Sequence, residues 1–218
     1  MRISGTILFS IFVGFIFSCE IIDHHHAPKT ADEAVIELTE GNERFVNNKL
    51  QHHNFIDEAH LVEKDQHPHT FVLSCIDSRV PPEIVFDQGL GNLFVARVAG
   101  NIEDDNILGS MEYAVQVKGT KLLVILGHSN CGAVQGAIDN VNLGHLTQLI
   151  NQIKVAFSKH RTYPLPEHLS NETGRLNVLS TIDHILSSSQ IIRKMVNNKK
   201  IKIVGAFYDL HTGIVKFL

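Results

Sequence analysis

The sequence predicts an α/β fold: a mostly parallel sheet with an antiparallel edge strand, flanked by helices. Three observations carry this. From about residue 70 onward, short apolar runs alternate with stretches of helical periodicity, the pattern of strand–helix–strand units. The run Lys121-Leu122-Leu123-Val124-Ile125-Leu126-Gly127 is apolar on both faces, as a central parallel strand covered by helices must be. The chain closes on two short strands, 202–208 and 214–217, joined through Leu210-His211-Thr212-Gly213. Such a hairpin pairs its strands antiparallel.

The elements follow in order. Arg2 precedes an uncharged run from Ile3 to Cys19 that holds Phe9, Phe12, Phe15 and Phe17. A basic start, a short apolar stretch and a small residue before Cys19 form an export signal. The run falls short of the roughly 20 apolar residues of a membrane span. Ile16-Phe17-Ser18-Cys19 resembles a bacterial lipobox, so residues 1–18 read as a lipoprotein signal peptide and Cys19 as the lipidation site. An ordinary signal peptide or an uncleaved anchor are the alternatives. Residues 19–29 read as a tether; its His24-His25-His26 can bind metal, although a solvated linker explains it as well.

The domain spans residues 30–218. Thr30-Ala31-Asp32-Glu33 is a capping box, opening an amphipathic helix to about Lys49. Residues 51–69 are polar and His-rich, a loop with one short helix. Phe71 to Ser74 is a strand and Leu93 to Ala96 a second. Asp104 and Asp105 cap a helix reaching about Val117. After the central strand, residues 133–140 and 143–160 read as helices, and 173–197 as one long helix or two shorter ones.

Composition narrows the function. The chain has 218 residues, 44% of them apolar and 19% charged, a globular balance in one domain. Net charge is −4, from 19 basic and 23 acidic residues, so a nucleic-acid surface is a poor reading. The three cysteines, Cys19, Cys75 and Cys131, are odd in number and too few for a disulfide scaffold. Cleavage before Cys19 would leave 200 residues and a charge of −5, because only Arg2 leaves with the signal (18 − 23).

The two remaining cysteines each follow a strand. Cys75 lies in Ser74-Cys75-Ile76-Asp77-Ser78-Arg79-Val80-Pro81, and Cys131 in Gly127-His128-Ser129-Asn130-Cys131-Gly132. Parallel sheets build their sites at the carboxyl ends of strands. If the two strands are neighbours, Cys75, His128 and Cys131 converge. Two thiolates and an imidazole favour zinc, and three protein ligands leave a fourth position open, as catalytic zinc requires.

These two segments, C-x-D-S-R-V-P and G-H-x-x-C-G-A-V, resemble the β-class carbonic anhydrases. The likeness extends to Phe94-Val95-Ala96-Arg97-Val98-Ala99-Gly100-Asn101, to Gly109-Ser110-Met111-Glu112-Tyr113-Ala114 and to Gly205-Ala206-Phe207-Tyr208-Asp209, covering residues 32–218. It implies a β-carbonic-anhydrase-like fold, a homodimer or higher homo-oligomer, and one Zn2+ per chain held by Cys75, His128 and Cys131. The implied activity is reversible hydration of CO2 to bicarbonate and a proton by a zinc-bound hydroxide. Thiolates donate more charge than imidazoles, so activity should favour neutral to alkaline pH. Asp77 would accept the nucleophile's hydrogen, and Arg79 would hold Asp77 off the metal; in the family's closed form this Asp becomes a zinc ligand instead. Gln66 resembles a glutamine that donates to substrate oxygen, and the Gly132 amide is a second donor. Phe94 and Tyr113 match apolar pocket positions, or pack in the core. Val98 and Ala99 depart from residues common in relatives and bear on pocket size. A non-catalytic bicarbonate site of one subclass is built around a Trp; Val72 stands there, and the chain has no Trp.

The alternatives are a zinc-binding paralogue without turnover, a hydrolase of COS or CS2 on the same fold, and a thiol redox protein. The last lacks the C-x-x-C spacing. An exported member would sit in the bacterial cell envelope, anchored to a membrane by its N-terminal lipid.

Overall fold

The computed structural model describes residues 27–159 and 169–218. The export signal, Cys19 and His24–His26 lie outside the described residues.

Helix α1 (Ala31–Val46) starts at a complete capping box: Thr30 accepts from the Glu33 amide, and the Glu33 carboxylate accepts from the Thr30 amide. It ends before Lys49, because Asn47 closes it and Asn48 turns left-handed at φ 53°. Asparagine tolerates that conformation better than most residues. The short helix expected in the following loop is α2 (Phe55–Val62). Then come β1 (Thr70–Ser74), α3 (Pro82–Val85), β2 (Leu93–Arg97), a single 3-10 turn at Ala99–Asn101, and α4 (Asp105–Gln116). The central strand is β3 (Leu122–His128), followed by α5 (Gly132–Ile138) and α6 (Gly144–Lys159). The segment read as one or two helices is two, α7 (Leu169–Ser188) and α8 (Gln190–Asn197), and β4 (Lys202–Tyr208) and β5 (Val215–Phe217) close the chain. The break falls at Ser189, whose hydroxyl accepts from the Ile192 amide and restarts the helix.

The five strands lie in the order β2-β1-β3-β4-β5, all parallel except the β4–β5 hairpin. The two-residue period sorts the core. Val72, Leu122, Val124, Leu126 and Ala206 face α1 and α3, packing on Ala34, Leu38, Val85 and Phe86. Phe71, Leu73, Leu123 and Ile125 face α4, α7 and α8, packing on Met111, Ala114, Val178, Ile185 and Ile192. A third cluster gathers at the carboxyl end of the sheet, where Ile102, Val134, Ile150 and Ile153 surround Cys75 and Cys131.

Buried Asn42 ties the first layer together. Its amide donates to the carbonyls of Val85 and Gly213, and its oxygen accepts from the Val215 amide. Helix α7 sits close on the sheet because two strand glycines make room. A Cβ on Gly127 would lie 2.6 Å from Val178 Cγ2, and one on Gly205 2.8 Å from Val178 Cγ1. Among the described residues, no helix is long and apolar enough to cross a membrane.

Candidate metal centre

Strands β1 and β3 are neighbours, with Ser74 beside Leu126. The chain passes from β1 outward to β2 and then back across β1 to β3. At that switch point the two strand ends open a crevice, and both ligand segments leave from it. Cys75, His128 and Cys131 are all buried there, and their ligand atoms lie within 4.8 Å of one another.

Each ligand is aimed. His128 Nδ1 donates to the Ser129 carbonyl at 2.9 Å, which fixes the tautomer and turns Nε2 toward the cysteines. That Nε2 is buried and has no hydrogen-bond partner, a costly state for an imidazole nitrogen unless a metal takes its lone pair. The Ser129 hydroxyl accepts from the Leu210 amide, and Asn130 makes the turn to Cys131 at φ 54°. The thiols of Cys75 and Cys131 stand 3.9 Å apart. A tetrahedral zinc with Zn–S bonds of about 2.3 Å would hold its sulfurs about 3.8 Å apart. The donor set, its burial, the orphaned nitrogen and the sulfur spacing all fit zinc, one per chain.

Electrostatics point the same way. The hydrogen bond between the two thiols pulls the Cys75 thiol down. Cys131 is pushed up by that same pairing and by burial, partly offset by the amides of Val134 and Ala133. A metal bound here must displace the thiol protons.

Beside the ligands, the Asp77 carboxylate is gripped on both oxygens. Arg79 Nε donates to Oδ1 at 2.9 Å and Nη2 to Oδ2 at 2.7 Å, and the Arg79 amide adds a third bond to Oδ1 at 3.0 Å. This guanidinium holds the Asp77 carboxyl well below the usual carboxylate range. Asp77 Oδ2 lies 3.9 Å from His128 Nε2, yet the carboxylate is not one of the converging group of three.

The sequence profile of the carbonic anhydrase family matches residues 70–215. Over 182 residues the chain is 36% identical to carbonic anhydrase 2 of Mycobacterium tuberculosis, covering 81% of this chain and 87% of that protein. Over 185 residues it is 44% identical to the carbonic anhydrase of Mycolicibacterium smegmatis, covering 82% and 89%. The chain belongs to the β-carbonic anhydrase family. Among solved structures, the fold superposes on a β-carbonic anhydrase of the fungus Sordaria macrospora with a TM-score of 0.66 and 26% identity, over 85% of this chain and 93% of that one. That protein is described as a tetramer. The β-carbonic anhydrase of Aspergillus fumigatus shares the fold, with a TM-score of 0.69 at 22% identity, over 86% and 89%.

Within one chain, the other site residues read from the sequence do not all meet the metal centre. Gly132 is adjacent to Cys131 and opens α5, with open space where a side chain would stand. Gln66 is exposed before the amino end of β1. The length of that strand, roughly 16 Å at about 3.3 Å per residue, separates it from Cys75. Phe94 pairs with Phe71 in the sheet, four residues short of Cys75. It packs edge-on against Tyr113, which is 45% exposed. Both line a cavity of about 570 Å³ beside β2, with Phe71, Asp105 and Asn106.

Two contributors were not singled out in the sequence. Arg97 donates from Nε to the Cys75 carbonyl at 2.9 Å and from Nη2 to the Asp77 carbonyl at 2.6 Å, clamping the loop that carries both residues. The Gly100 amide donates to Cys75 Sγ at 3.4 Å. Both lie in the segment that resembles the family; what identifies their roles is the return of β2 alongside β1.

Proposed function

We propose that this β-carbonic anhydrase catalyses the zinc-dependent reversible hydration of CO2 to bicarbonate and a proton. One observation carries the reading: an ionised carboxylate, Asp77, held on both oxygens by Arg79 at the edge of a buried Cys75–His128–Cys131 cluster. Zinc, when bound, supplies Lewis acidity that brings the ionisation of water toward neutral pH.

The chain's own residues do the rest. Asp77 Oδ2 faces the cluster and accepts the hydrogen of the attacking oxygen, so that a lone pair points at the carbon of CO2. Arg79 keeps that carboxylate ionised and occupied, so that zinc held by Cys75, His128 and Cys131 would keep a position open to solvent. The Gly132 amide donates to an oxygen of the substrate at the opening of α5. Ile102, Val134 and Ile153 make the wall behind the cysteines apolar, suited to a substrate without charge.

Gln66, Phe94 and Tyr113 act on substrate only where a second copy brings them to a metal centre. Their distance from Cys75 in their own chain supports this, as does the position of β2 at one edge of the sheet beside the Phe94–Tyr113 cavity. The working form is then a homodimer or a larger homo-oligomer.

The test is stopped-flow CO2 hydration on zinc-quantified protein from pH 7 to 9, before and after chelation. Turnover that disappears with the metal and returns with zinc is expected. Metal-loaded protein without hydration across that range would leave a zinc-binding paralogue. Running COS and CS2 beside CO2 separates the hydrolase reading.

The export reading rests on Arg2, the uncharged run to Cys19 and the Ser18-Cys19 pair. It places the enzyme in the bacterial cell envelope, lipid-anchored through Cys19. Fatty-acid labelling that Cys19→Ser abolishes is the expected result; unlabelled wild-type protein would refute it.

A further inference from the structure

Helix α7 reaches both ligand loops with asparagine side chains. Asn171 Oδ1 accepts from the Asn130 amide at 2.9 Å, inside the turn between His128 and Cys131. Six residues on, Asn177 Nδ2 donates to the Gly100 carbonyl at 2.7 Å. Gly100 is the residue whose own amide donates to Cys75 Sγ.

Asn177 is 2% exposed, next to Val178 on a face that packs on the sheet. A buried amide is unfavourable there unless it is hydrogen-bonded. Gly100 at φ 74° and Asn101 at φ 47° are consecutive left-handed residues, the residue types that reach this conformation most readily. Glycine is also required for space, since a Cβ there would lie 2.6 Å from Ile153 Cδ1. Pinning the Gly100 carbonyl fixes the orientation of the Gly100 residue and hence the aim of its N–H.

We infer that Asn177 is a positioning residue of the zinc site: through Gly100 it aims an N–H at the Cys75 sulfur and sets how strongly that sulfur donates to the metal. This rests on the zinc reading above. Hydrogen bonds to a thiolate withdraw charge from it, and groups that support ligands in this way tune metal affinity.

The test compares Asn177→Ala and Asn177→Leu with Val178→Ala. The two Asn177 variants both lose the donor, and Leu refills the volume that Ala leaves empty. Val178→Ala loosens the same helix without touching the hydrogen-bond chain. Zinc affinity is read by competition with a chromophoric chelator, and sulfur donation by the thiolate-to-metal charge-transfer band of the cobalt(II)-substituted protein. Both Asn177 variants are expected to bind zinc about 10- to 100-fold more weakly, because Cys75 is no longer held in position, and to move the band to longer wavelength, because its sulfur keeps more charge. Val178→Ala is expected to melt lower with affinity and band unchanged. A folded Asn177 variant with wild-type band and affinity overturns the inference, as does an equal change in Val178→Ala. Wild-type protein that fails to take up one zinc per chain would instead refute the metal reading itself.

Discussion

Replacing Arg79 by Gln should separate catalysis from stability. Asp77 has three hydrogen bonds, two from the Arg79 side chain at 2.9 and 2.7 Å and one from the Arg79 amide at 3.0 Å. The substitution removes the first two and the charge, and leaves the third. Because the Arg79 side chain is 57% exposed while Asp77 is 15% exposed, water screens the pair, and its loss should cost no more than about 1 kcal/mol of stability. The carboxylate fares differently. With one oxygen released and no guanidinium beside it, Asp77, whose Oδ2 lies 3.9 Å from His128 Nε2, can turn toward the ligand cluster or swing away from the nucleophile. Losing such a supporting partner costs about 10- to 100-fold, or roughly 1.4 to 2.8 kcal/mol in the transition state. The assay is CO2 hydration at pH 8 on zinc-quantified protein, paired with thermal melting and metal-edge X-ray absorption. Turnover down at least tenfold, with the melting temperature within a few degrees of wild type, is expected. X-ray absorption then shows whether an extra carboxylate oxygen has joined the metal. Turnover within twofold of wild type would refute the role given to this pair.

Other expectations follow from the same geometry. Because the thiolate and not the thiol binds a metal, zinc binding by Cys75 and Cys131 should release protons and tighten as pH rises; calorimetry in buffers of different ionisation heat measures this, and pH-independent affinity would contradict it. Gly205→Ala brings a methyl to 2.8 Å from Val178, so it should lower stability by about 1–3 kcal/mol in urea unfolding. Burial lowers the pKa of His69 below 6.5 against the opposing pull of Gln88 and Glu37. The unfolded chain then takes up the proton first, so stability contributed by neutral His69 falls as pH drops from 6.5 toward the lowered folded value. His69→Gln should flatten that slope in urea midpoints compared between pH 7.5 and 5.5, and an unchanged slope would rule His69 out as its source.

The parts of this fold that were legible in the sequence are those where one short segment holds the whole signal. The central strand announces itself because both of its faces are covered, and seven successive residues, Leu122 to His128, are buried. The capping box of α1 is four residues long. The metal ligands could be read because strand ends are where parallel sheets place chemistry, and because β1 and β3 are neighbours. The boundary of α7 was harder. Its apolar residues do not gather on one simple stripe, since one stretch packs on Gly127 and Gly205 while Asn171 and Asn177 reach polar loops. The 3-10 turn at Ala99–Asn101 was invisible for a related reason. Nothing in Ala-Gly-Asn states that its central carbonyl will be bonded by an asparagine 77 residues away.

That contrast bears on how the site works. The three ligands come from two segments, yet their aim depends on Arg97 from β2, Ser129 beside His128, and Asn171 and Asn177 from α7. These contacts cross the sheet in both directions from the switch point between β1 and β3. A pair of thiols from two separate segments has no covalent link of its own to fix the distance between them. The scaffold on either side has to impose the spacing. The 3.9 Å between the sulfurs and the unpartnered, buried Nε2 of His128 are held in place by these contacts from both sides of the sheet, the support that a precise ligand geometry requires.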